Sequence, residues 1–125
     1  MESTRVTKDF CSLSRRWSIS PVLAQMVVEL DARATAIYAA QGLRWPGLFV
    51  ISGFRTKKQQ ADINPFAPNS KHRKCPAMAV DLRVGDFYAS TTDPIIWARL
   101  GQEWQKMGGR WGGVFSTPDW NHFDI

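Results

Sequence analysis

Leu23, Met26, Val27, Leu30, Ala34, Ile37 and Tyr38 recur at the spacing of one helix face. Ser20-Pro21 ahead of them reads as an N-cap followed by proline at the first helical position, and Gly42 as the stop. A second stripe, Ile96, Trp97, Leu100, Trp104 and Met107, is opened by Asp93-Pro94 and closed by Gly108-Gly109. Leu48 to Ser52 predicts a short buried strand ending at Gly53. From Met78 to Val84 the period is two: Val80, Leu82 and Val84 face a core, while Ala79, Asp81 and Arg83 face the other way. Lys57 to Ile63 reads as a short helix, and Asn64 to Pro76, rich in Pro, Asn, Ser and Lys, as a loop. Trp111 to Phe115 and Asn121 to Ile125 are the last candidate strands, with a turn at Ser116-Thr117-Pro118-Asp119 between them. Residues 1 to 19 read as a polar lead-in to a domain spanning 20 to 125. Mixed helices and closely spaced late strands predict an α+β fold, a small antiparallel sheet with helices packed on it.

Composition narrows the class. The 125 residues suit one domain, large enough to bury a core without disulfides. The longest apolar run, Leu48 to Ile51, is far too short to span a membrane. Met1 to Phe10 carries charges and no apolar leader core, so the expectation is synthesis in the cytoplasm and exit by another route. A net charge of +5 favours polyanions, either nucleic acid or an anionic bacterial envelope. The basic residues are scattered and no nucleic-acid-binding motif is present, which argues against specific nucleic-acid recognition. Cys11 and Cys75 form no CxxC pair and read as reduced thiols.

The candidate chemistry lies with the chain's two histidines, His72 and His122. Asp81 sits inside an apolar strand, where a bare carboxylate is costly unless it is paired or bound to metal. Asp119 stands three residues before His122. Two His and one carboxylate, with a fourth position left to water, make a standard catalytic zinc set, and a further carboxylate can serve as general base. On these residues alone, Asp81 could instead pair with Arg55 or Arg83.

Three segments carry a family resemblance. Ser52-Gly53-Phe54-Arg55-Thr56 with Gln60, then Ser70-Lys71-His72 followed by Ala79-Val80-Asp81-Leu82, then Asp119-Trp120-Asn121-His122-Phe123 occur in that order. Together they resemble the SGYRT…Q, SxHxxGxAxD and (D/E)xxH motifs of the zinc D-Ala-D-Ala carboxypeptidase and L-alanyl-D-glutamate endopeptidase family. The resemblance covers about residues 20 to 125. It implies zinc held by His72, Asp81 and His122, with Asp119 as the base. Arg55 would stabilise an oxyanion or hold a substrate carboxylate, Ser70 would shape the loop or contact substrate, and Gln60 would support the site. One departure stands out. His72 and Asp81 are nine residues apart rather than the family's seven, with Cys75-Pro76-Ala77 where one glycine is expected. That insertion makes Cys75 a rival ligand.

The resemblance implies a peptidase acting on the stem peptide of peptidoglycan, as a phage or prophage lysin or a wall hydrolase carried with virion or tail proteins. Its expected bond is L-Ala–D-Glu. The alternatives are a D-Ala-D-Ala carboxypeptidase and a non-enzymatic phage structural module that keeps the fold. Trp111 and Trp120 flank the last motif and are candidates to line a substrate groove.

Overall fold

The computed structural model describes residues 3–64, 66 and 69–125. Five strands, β1 (Thr4–Arg5), β2 (Leu48–Ser52), β3 (Ala79–Val84), β4 (Arg110–Trp111) and β5 (His122–Asp124), form one antiparallel sheet in the order β1-β2-β3-β5-β4. Among the described residues four α-helices accompany it: α1 (Phe10–Trp17), α2 (Pro21–Ala40), α3 (Lys57–Ile63) and α4 (Pro94–Lys106). The fold is α+β, as the pattern predicts.

The two long helices arise where the apolar stripes place them. Pro21 occupies the first turn of α2, and Leu23, Ala24, Val27, Leu30 and Ala34 are buried along one face. Beyond the helix Gly42 takes a φ of 72°, a conformation that favours a residue without Cβ. Asp93 caps α4 by accepting the Ile95 amide at 2.9 Å, and Trp97, Leu100 and Trp104 face inward. Leu48, Val50, Val80, Leu82, Val84 and Phe123 of the sheet join these helix residues in one core. Phe123 packs edge-on to Trp104 at 5.5 Å between ring centroids. The sheet thus has an apolar face for the helices, and residues of the alternate set are free to build a site on the other side.

Four expectations are corrected or refined. Of the segment read as a polar lead-in, residues 1 and 2 lie outside the described residues and the rest is folded. Asp9 caps α1 by accepting the Ser12 amide at 3.0 Å, Leu13 and Trp17 are buried, and Thr4 and Arg5 pair with Val50 and Phe49. A helix of eight residues with two buried positions is too short for periodicity to announce. The strand expected over Trp111 to Phe115 stops at Trp111, because Gly112 to Val114 form a 3₁₀ turn. The Gly112 carbonyl accepts the amides of Phe115 and Asp119 at 3.1 and 2.9 Å, so it has no place in a ladder. In β3, Ala79 and Asp81 are buried along with Val80, Leu82 and Val84, so the second face of this central strand is covered too. The loop expected over Asn64 to Pro76 contains a 3₁₀ turn at Lys71–Arg73, and its positions 65, 67 and 68 lie outside the described residues.

Candidate metal centre

Strand pairing brings the first two groups together. Asp81 of β3 is the cross-strand partner of His122 of β5, and directly opposed residues share a face of the sheet. His72 arrives from the 3₁₀ turn. Ser70 Oγ accepts the His72 amide at 3.3 Å, and the His72 carbonyl accepts the Arg55 amide at 2.8 Å. Ser70 therefore shapes the loop.

All three side chains are buried, and their ligand-type atoms converge. His72 Nε2 lies 3.3 Å from His122 Nδ1 and 3.4 Å from Asp81 Oδ1, and His122 Nδ1 lies 3.5 Å from Asp81 Oδ1. The outer ring atoms fix what faces inward. His72 Nδ1 is 2.7 Å from the Gly53 carbonyl, which can only accept, so Nδ1 carries the proton and Nε2 presents its lone pair. His122 Nε2 is 2.8 Å from a carboxylate oxygen of Asp124 and donates to it. In its neutral form His122 therefore turns the lone pair of Nδ1 inward as well. Asp81 Oδ1 completes the set and has no hydrogen-bond partner. Three acceptors facing one point, one of them orphaned in the interior, make a cluster that could hold a metal ion.

Without a metal a proton takes that position. Burial disfavours a charged His122, but the hydrogen bond to Asp124 and the nearby negative charge of Asp81 outweigh it and push its pKa up to about 9. Burial likewise opposes ionisation of Asp81, yet His122, His72 and Arg55 hold its carboxyl well below the usual range.

The remaining sequence candidates fall around this cluster. Arg55 donates to Asp81 Oδ2, to Gln60 Oε1 at 3.2 Å and to Ser52 Oγ at 3.0 Å. Gln60 is buried and reaches the cluster only through Arg55. Of the two arginines that could have paired with Asp81, the structure uses Arg55, while Arg83 lies over the Phe49 ring. Asp119 lies at the rim, half exposed, with Oδ2 4.0 Å from His122 Nδ1. The chain bends between them because the Asp119 carbonyl accepts the His122 amide at 3.2 Å. Burial and the nearby charge of Asp81 raise the Asp119 pKa.

Cys75 is exposed and stands outside the cluster. The longer His72–Asp81 connection instead reaches back to the N-terminal segment. The Ala77 amide donates to the Ser18 carbonyl and the Ala77 carbonyl accepts the Ser20 amide, both at 2.8 Å. The groove tryptophans are also reassigned: Trp111 is buried and Trp120 is a surface residue, and neither lines the cleft. Phe115 does, 5.4 Å from the His122 ring. The cleft over the cluster has a volume of about 550 Å³, with Arg55, Ser70, Phe115 and Asp119 on its walls.

Sequence reasoning missed Asp124. It is fully buried, bonded to His122 and gripped by Arg110. Its signal was the spacing His-x-Asp within a strand, which puts both side chains on one face. Comparison of the chain with protein-family models and with curated proteins gives no match. No helix among the described residues is long and apolar enough to cross a membrane.

Proposed function

We propose that this protein is a zinc-dependent peptidoglycan peptidase that cuts the stem peptide at L-Ala–D-Glu. The observation that carries the reading is the inward-facing triad of His72 Nε2, Asp81 Oδ1 and His122 Nδ1, with Asp119 beside it in an open cleft. Zinc in a tetrahedral site holds N and O ligands at about 2.0–2.1 Å, which spaces them about 3.3 Å apart. The separations of 3.3, 3.4 and 3.5 Å support that ion.

A bound zinc ion would supply Lewis acidity, polarising a peptide carbonyl and making water more acidic. The chain's own groups do the rest. The cleft holds the peptide, and water attacks its carbonyl carbon. Asp119 takes the proton from that water and passes it to the nitrogen of the departing amine as the C–N bond breaks. A raised pKa suits a carboxylate that must both accept and return a proton. Arg55 holds Asp81 in place at the wall of the cleft.

The endopeptidase reading is preferred to a D-Ala-D-Ala carboxypeptidase for one reason. Among the described residues lining the cleft, Arg55 is the permanent cation, and Asp81, Gln60 and Ser52 already occupy it. A substrate's terminal carboxylate would have to compete with Asp81 for it. The placement of Asp119 favours an enzyme over a structural module that retains the fold. The net charge of +5 suits work on an anionic wall, as a phage or prophage lysin or within a virion. Incubation with purified cell walls tests the reading. Turbidity should fall, a chelator should stop the fall, and added zinc should restore it. Walls left intact by zinc-loaded protein would refute it.

A further inference from the structure

We propose that Asp124 is a positioning residue for the metal site, holding the His122 ring so that Nδ1 faces His72 and Asp81, with Arg110 and Lys71 holding Asp124 in turn. This rests on the metal-binding reading of the triad.

The placement follows from the strand. Asp124 lies two residues beyond His122 on β5, on the same face, opposite the small side chain of Ala79. It is fully buried, where a carboxylate must be paired. Oδ2 accepts His122 Nε2–H at 2.8 Å. Arg110 closes over the carboxylate with a fork, Nε at 3.0 Å from Oδ1 and Nη2 at 2.8 Å from Oδ2. Lys71 Nζ adds a third cationic contact at 3.4 Å. The backbone is pinned as well, since Trp104 Nε1 donates to the Asp124 carbonyl at 2.9 Å.

Two consequences bear on the metal. A half rotation of the His122 ring would put the Cδ2 carbon where Nδ1 faces His72 and Asp81, and a carboxylate fixed on Nε2 prevents this and makes Nδ1 a better donor. Lys71 also directly precedes His72 and reaches both Asp124 and the Ile125 carbonyl. One side chain thus ties the turn that carries His72 to the strand that carries His122, so the network sets the separation of the two rings. A purely structural ion pair between Arg110 and Asp124 would not need the His122 contact.

The test measures zinc and cobalt affinity by competition with a chromophoric chelator, together with thermal unfolding of the metal-free protein. Asp124→Asn should bind either ion about 10–100-fold more weakly than wild type. Its cobalt absorption spectrum should shift, reporting a changed His122 donor. Arg110→Gln, at a half-exposed position, should show a smaller loss in the same direction. Should Asp124→Asn fail to fold, Arg110→Gln decides alone. Wild-type affinity in the folded variants, with only the melting temperature lowered, would overturn the assignment and leave the metal site standing. A wild-type protein that binds neither ion would overturn both.

Discussion

Asp81 Oδ1 lies 3.5 Å from His122 Nδ1 across the paired strands β3 and β5, buried and without a hydrogen-bond partner. An acceptor left in that state, beside two imidazoles whose other nitrogens are committed, calls for a cation. The expected stoichiometry is one zinc per chain, by elemental analysis of protein purified without added metal. His122→Ala should lose the ion. Stoichiometric zinc retained by that variant would remove His122 from the ligand set.

Proton and metal compete for His122. In the metal-free protein its pKa is raised to about 9 from an ordinary 6.5. The charged ring's contacts with Asp124 and Asp81 therefore stabilise the fold fully below pH 6.5, and this contribution is lost as pH rises through about 9. Metal binding requires the neutral ring and releases the proton. Affinity should accordingly climb about tenfold per pH unit up to about pH 9 and then level off. Calorimetry in buffers of different ionisation enthalpy reads the released proton directly, and an affinity flat across this window would contradict the competition.

Asp119 is close enough to act on water near the cluster, yet at 4.0 Å from His122 Nδ1 it stands apart from the triad. Asp119→Asn keeps its shape and removes its basicity. The variant should fold, hold zinc and cut walls at least about a hundredfold more slowly. Zinc content and lytic rate, measured on one sample, separate the outcomes: a near-normal rate ends the general-base role, and lost zinc makes Asp119 a ligand.

Much of this arrangement was legible in the sequence. The stripes of α2 and α4 and the alternation of β3 are long enough for periodicity to speak, and a carboxylate inside an apolar strand marked Asp81 before any geometry. The 3₁₀ turn at Gly112 was not legible, because it is specified by what Gly112 touches rather than by a pattern: a Cβ there would lie 2.3 Å from the Asp119 carbonyl oxygen. Helix α1 was hidden by its shortness. Asp124 was marked only by its spacing from His122, a pattern too common in strands to announce the most buried carboxylate of the site.

That close approach yields a prediction of its own. Gly112→Ala adds a methyl group against the Asp119 carbonyl and 2.9 Å from His122 Cβ, so the turn that aims both residues must move. A displacement on the order of 1 Å costs about a hundredfold in rate. The lytic rate should fall by about that factor, although Gly112 has no side chain to take part in the chemistry. A wild-type rate would show that the turn yields without disturbing Asp119.

The proposed activity stands or falls on the bond that is cut. Mass spectrometry of purified peptidoglycan digested with the zinc-loaded protein, beside a chelator-treated control, tests it most directly. The zinc-loaded digest should contain peptides with a new N-terminal D-Glu, absent from the control. Free D-alanine with no such terminus would move the activity to the carboxypeptidase, and a digest identical to the control would contradict the peptidase itself.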